Sequence, residues 1–129
     1  CDIVSLHIPS NKETFENMNE ERFAMMKKGS ILINTARGEV VKNEALLEAL
    51  KSGQIAAAGL DVLAPEPVKE DNIVVKAMKN DGELAEKIVL APHIGGLTVQ
   101  TFDKIYGTIW SNFKKVCAGE TPVNIVNHP

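Results

Sequence analysis

Apolar residues run along this chain in two rhythms. Short, nearly unbroken runs occur at 3–8 ("IVSLHI"), 31–36 ("ILINTA"), 55–62 ("IAAAGLDV") and 87–92 ("KIVLAP"). Each is rich in β-formers and is bounded by Pro, Gly, Asn, Ser or charge, so four buried strands are predicted. Elsewhere the spacing is three and four. Ala45, Leu46, Ala49 and Leu50 share one helical face within "NEALLEALKSG", with Lys51 in the last turn and Gly53 just past it. Phe102, Ile105, Tyr106, Ile109, Phe113 and Val116 mark a long amphipathic helix from Thr98 to Cys117. Ser10 with Glu13 reads as a capping box, and Asn19 as the cap of a short helix through "EERFAMMKK" that Gly29 stops. The tail "TPVNIVNHP", residues 121–129, reads as extended. Residues 69–87 keep neither rhythm: charged, with "IVV" inside, they fit a surface loop or a helical excursion.

Strands alternating with helices imply parallel pairing through right-handed crossovers, hence an α/β sheet with flanking helices. Strands apolar on both faces are expected to be covered on both faces. The first predicted strand opens the chain with no helix before it, which suggests a truncated chain or half of a larger sheet. The 129 residues, 44% apolar, suit one globular domain. A formal charge of −3, without a basic stripe or interleaved aromatics, argues against a nucleic-acid partner; Lys27, Lys28, Lys114 and Lys115 read as solvated helix ends. Cys1 and Cys117 lack metal-ligand spacing, and no apolar run is long enough to span a bilayer, so no metal and no membrane is expected and the cytoplasm is the expected setting.

In an open parallel sheet, ligands gather outside the carboxyl ends of the strands. His7 and Pro9 end the first predicted strand, Thr35 and Arg37 the second, Asp61 the third and His93 the fourth. Arg37 offers a planar fork for a carboxylate, with Gly38 allowing a tight turn beside it. His93, in "APHIGG", lies between a proline and two glycines that permit close approach. Glu66 stands between two prolines. Taken singly, each has a plain structural reading: a helix-capping or ion-pairing arginine, a packed or surface histidine, a rigid surface turn. Together they suggest that Arg37 anchors an anionic substrate, His93 exchanges a proton, and Glu66 orients the imidazole and supports its proton. No Ser or Cys nucleophile has a base near it in sequence.

On "DIVSLHIP", "MKKGSILINTARGEVV", "NEALLEALKSGQIAAAGLDV", "PEP" and "APHIGG", in that order, the chain resembles the NAD-dependent D-isomer-specific 2-hydroxyacid dehydrogenases, of phosphoglycerate dehydrogenase-like type. The resemblance implies a Rossmann-like, incomplete sheet: residues 1–129 as the second half of a dinucleotide-binding domain, with 98–129 leading toward a substrate domain. It implies NAD as cofactor and hydride transfer between NAD(H) and a small 2-hydroxy or 2-keto acid. Arg37 would bind the substrate carboxylate, His93 would protonate the keto oxygen, and Glu66 would hydrogen-bond His93. Pro9, Thr35, Ala36, Arg37 and His93 would contact the cofactor, Asp61 would hold the nicotinamide carboxamide, and Gly95 and Gly96 would let the loop approach the ring. His7 matches a strand end whose job is expected to be packing. Related formate dehydrogenases carry glutamine where Glu66 stands, so the carboxylate favours hydroxyacid chemistry.

Three departures qualify this expectation. The chain holds no G-x-G, so the phosphate-binding loop is expected upstream of residue 1, and little or no activity is expected of the isolated chain. Lys42 replaces an acid common before the second helix, leaving Asn43 as the expected cap. Residues 69–87 are longer and more charged than the usual connection. A second reading is a non-catalytic, dinucleotide-sensing regulatory module of the same fold; a third is an inert fragment. Exposed apolar surface along the first strand predicts self-association, as a dimer or higher homo-oligomer.

Overall fold

The computed structural model describes residues 1–126. They fall into two compact units, Cys1–Ile94 and a second that begins at Gly95. The first is a sheet of β1 (Ile3–Leu6), β2 (Ser30–Asn34), β3 (Ile55–Leu60) and β4 (Ile88–Leu90), all parallel and in sequence order. The connections carry α1 (Glu20–Met25), α2 (Asn43–Lys51), α3 (Ile73–Asn80) and α4 (Gly82–Lys87). The register aligns Val4, Leu32, Ala58 and Ile88 across the sheet on one face and Ser5, Ile33, Gly59 and Val89 on the other. The core fills the first face: Leu32, Ala58 and Ile88 are buried with Leu46, Leu50, Phe23, Val74 and Leu84 from the helices. The expectation of cover on both faces is therefore corrected. Ile3 keeps 59% and Val89 71% of its surface in contact with solvent, because α1, α2, α3 and α4 all supply their buried side chains to the one cluster.

Local chemistry explains the helices. Asn19 caps α1 as expected, its side chain accepting from the Arg22 amide at 3.1 Å, and Gly29 follows with φ +78°. Ser10 does not cap a helix: residues 12–16 form turns, and the side chain of Asn11 takes the amides of Glu13 and Thr14. Asn43 is not the cap of α2 either. Lys42 holds that position without a side-chain capping bond, and the Asn43 side-chain amide instead donates to Ala64 O at 2.8 Å. Residues 69–87 resolve as the helical excursion, α3 and α4, each started by a side-chain cap, Asn72 and Asp81. Buried Val74 and Leu84 tie them to the core.

In the second unit, α5 (Val99–Cys117) is capped by Thr98 and has no buried residue. Phe102 stacks on Tyr106 and Trp110 on Phe113. The tail is not extended throughout: it bends at residues 123–124, with Asn124 at φ +60°, and Asn112 clips it back to the helix through the N–H and C=O of Val123; residues 127–129 of the expected extended tail lie outside the described residues.

Candidate active site

The carboxyl ends of β1, β2, β3 and β4 all point to one edge of the sheet, and backbone hydrogen bonds tie the last three together past the strands. Asp61 N–H donates to Asn34 O at 2.9 Å, and His93 N–H donates to Asp61 O at 2.8 Å. The Asp61 side chain is nearly buried and accepts from the Ile94 amide at 2.9 Å. Together these bonds hold His93 at φ +55°, a left-handed conformation unusual for a side chain of this size. Beside it, His93 Nδ1 meets Glu66 Oε2 at 2.9 Å, both side chains partly exposed at 45% and 38%. Asp61, Glu66, Pro92 and His93 line a cleft of about 290 Å³.

Glu66 reaches this cleft because its loop is anchored at Ala64, whose carbonyl accepts from the side-chain amides of Asn43 and Asn72, both at 2.8 Å. Gly38 contributes from the other side. It opens the short 3-10 turn Gly38–Val40, as expected from sequence, and it also allows close approach: a Cβ there would stand 2.3 Å from Ala64 N and 2.6 Å from Leu63 C. Only glycine lets the segment after Arg37 lie against the segment leading to Glu66.

Arg37 itself is exposed and lines a second, polar cleft of about 610 Å³ with His7, Pro9, Ser10, Thr35 and Ala36. Its Nη1 donates to Ala36 O at 2.6 Å. Thus Pro9, Thr35, Ala36 and Arg37 share one cleft, while Asp61, Glu66 and His93 share another. His7 is exposed, with Nε2 2.8 Å from Ser5 Oγ, so it does not serve packing. Gly95 and Gly96 open the second unit. Among the described residues no group of three or more His, Cys, Asp or Glu could hold a metal ion, and no helix is long and apolar enough to cross a membrane.

Sequence reasoning passed over Asn34, Asn43 as an anchor, and Asn72. Asn34 carried a usable signal, an amide ending an apolar strand two residues before Ala36, whose N–H it receives.

The family model for the D-isomer specific 2-hydroxyacid dehydrogenase, NAD binding domain, matches residues 1–95. The chain belongs to this family. A glyoxylate reductase of Thermofilum pendens is 44% identical over 98% of the chain and 35% of its own length. A D-3-phosphoglycerate dehydrogenase of Haemophilus influenzae is 36% identical over the whole chain and 30% of its own length. Among solved structures, a D-lactate dehydrogenase with NAD+ from Lactobacillus jensenii superimposes with a TM-score of 0.82 at 35% identity, covering 98% of this chain and 40% of that one. The chain therefore spans about a third of the length of the 2-hydroxyacid dehydrogenases it matches, and its sheet is the Rossmann-like sheet of their NAD-binding domains.

Proposed function

We propose that this chain belongs to an oxidoreductase that moves a hydride between NAD(H) and a small D-2-hydroxy or 2-keto acid, with residues 1–129 forming part of its cofactor domain. The observation that carries this reading is the His93–Glu66 pair, held at 2.9 Å at the strand edge that also bears Arg37. Because Nδ1 faces the carboxylate, Nε2 is the nitrogen left to meet a substrate, and it gives its proton to the keto oxygen as reduction proceeds. Glu66 fixes the ring and compensates the charge that the imidazole carries before it donates. Arg37 grips the substrate carboxylate with its planar fork, which turns the keto group toward His93. NADH, when bound, supplies the hydride that reduces the keto carbon.

The residues fit the nicotinamide end of that cofactor. The polar cleft at the ends of β1 and β2 offers hydroxyls from Ser10 and Thr35 and a fixed cation from Arg37, in a volume suited to a small ligand. Asp61 stands at the neighbouring strand end, and Gly95 and Gly96 follow His93 in sequence. The sequence carries no G-x-G, so these residues by themselves lack a glycine-rich grip on pyrophosphate.

Two unpaired, exposed cysteines suit a reducing cytoplasm. The exposed apolar residues on the open face of the sheet suit self-association, as a dimer or larger homo-oligomer. The reading is tested by steady-state assay of the full-length protein with NADH and a panel of glyoxylate, hydroxypyruvate and pyruvate. Turnover of at least one is expected, against little or none by residues 1–129 alone; a full-length protein inert toward the whole panel would refute it.

A further inference from the structure

Asn34 is the most deeply buried polar residue near the strand edge, with 1% of its surface exposed, yet it has no place in the chemistry above. Every polar atom of its side chain is used. Oδ1 accepts from Ala36 N–H at 3.0 Å, and Nδ2 donates to Arg37 O at 2.9 Å. The Arg37 guanidinium folds back onto the one carbonyl between these two contacts, Ala36 O, at 2.6 Å. Asn34 O meanwhile accepts the Asp61 amide, and Asp61 O accepts the His93 amide. Asn34 therefore holds the turn that carries the guanidinium through its side chain and joins the backbone line that ends at the imidazole through its own carbonyl.

We propose that Asn34 is a positioning residue for Arg37, its carboxamide fixing the Thr35–Ala36 and Arg37–Gly38 peptide units on either side of the Ala36–Arg37 peptide and so setting where a carboxylate is held relative to His93. A buried amide suits this task because donor and acceptor lie on one rigid plane: it satisfies an N–H and a C=O of the same turn at once. Aspartate keeps the acceptor for Ala36 N–H but loses the donor to Arg37 O, and leucine of similar volume loses both. The proposal rests on the reading of Arg37 as the carboxylate anchor, and the experiment separates the two.

Asn34→Asp, Asn34→Leu and, as a matched destabilised control in the core, Leu50→Ala are compared in the full-length protein with NADH and whichever keto acid of the panel it turns over fastest. Both Asn34 variants are expected to raise KM for that keto acid about tenfold or more while KM for NADH moves less than about threefold; Leu50→Ala is expected to lower the unfolding midpoint without that split. In parallel, the 129-residue chain is labelled with 15N. The Ala36 amide is expected to exchange slowly in wild type and Asn34→Asp and quickly in Asn34→Leu, and the Arg37 Nε–H resonance, shifted by added oxalate in wild type, is expected to respond weakly in both variants. Equal rises in both KM values, or the same split in Leu50→Ala, would reduce Asn34 to a fold residue and overturn the proposal. A wild-type protein without turnover sinks the hydroxyacid reading alone. The Ala36 exchange and Arg37 resonances then decide the positioning role, which fails if they ignore both substitutions or if Asn34→Leu unfolds the chain while Asn34→Asp leaves both signals unchanged.

Discussion

His93 Nδ1 lies 2.9 Å from Glu66 Oε2, a residue 27 positions earlier, and the His93 backbone is held in the left-handed region by two contacts to Asp61. The ring is thus fixed at both ends, by its own main chain and by a carboxylate on a separate loop. In the proposed role of proton donor, this orientation leaves Nε2 one direction in which to deliver.

Replacing His93 by alanine in the full-length protein is expected, on the proposed function, to lower kcat with the keto acid it reduces by about 100- to 10,000-fold, the usual contribution of a positioned acid. KM for NADH should change little. Glu66→Gln keeps a hydrogen-bond partner but loses the charge, so its loss of kcat should be smaller. A His93→Ala enzyme with near-normal kcat would remove the imidazole from proton transfer.

Arg37→Ala is expected to act on binding. Hydrogen bonds to a charged group are worth about 1.5–3 kcal/mol, so KM for the keto acid should rise roughly 10- to 100-fold with a smaller change in kcat. Arg37→Lys retains the charge without the fork and should recover only part of the loss. Initial-rate measurements across concentrations of the keto acid separate these outcomes.

Gly38→Ala tests close approach rather than backbone freedom. The added Cβ would meet the main chain of Leu63 and Ala64 at 2.3–2.9 Å, and main chain cannot swing aside as a side-chain tip can. A destabilisation of about 1–3 kcal/mol is expected, as for other overpacked sites. Urea unfolding should show a lower midpoint at unchanged slope.

Much of this arrangement is legible in the sequence because it is local. The four apolar runs became four strands, shortened at their polar ends, and the Ala45, Leu46, Ala49, Leu50 face became the buried face of α2. What was not legible depends on contacts distant in sequence. Asn43 and Asn72 both converge on Ala64 O, and no spacing rule joins positions 21 and 8 residues away. The α3–α4 excursion hid behind the β-branched Ile73, Val74 and Val75, whose weak helix propensity is overridden by the Asn72 cap and burial of Val74. Within the candidate site, the strand-end rule gathered His7, Arg37, Asp61 and His93 at one sheet edge from residue types alone, but not the division into two clefts.

Lys42 Nζ and Glu20 Oε1 are 2.6 Å apart and join the start of α2 to the start of α1. Their hydrogen bond holds the Glu20 carboxyl below its ordinary 4.5 and the Lys42 ammonium above its ordinary 10.5. A lowered carboxyl stabilises the fold above 4.5 and loses that contribution as pH falls through its folded value; a raised ammonium stabilises below 10.5 and loses it as pH rises through its folded value. The difference in unfolding midpoint between wild type and Lys42→Gln should therefore be constant near neutrality and shrink at pH 3. Because the pair is exposed, molar salt should shrink it too. A difference that persists at pH 3 would assign the effect to packing of the lysine stem.

Ile3, on the edge strand, is 59% exposed. Sedimentation velocity of the 129-residue chain is expected to show association that grows with concentration, and Ile3→Lys is expected to weaken it by placing a charge on that edge. A wild-type chain that remains monomeric at high concentration would count against an associating sheet.

The strand-end line from Asn34 through Asp61 to His93 is made of main-chain amides and carbonyls. Every substitution except proline keeps these main-chain donors. The spacing of the β2, β3 and β4 ends can thus persist while exposed side chains around them are replaced, so long as Asn34 keeps its hold on the turn that carries Arg37.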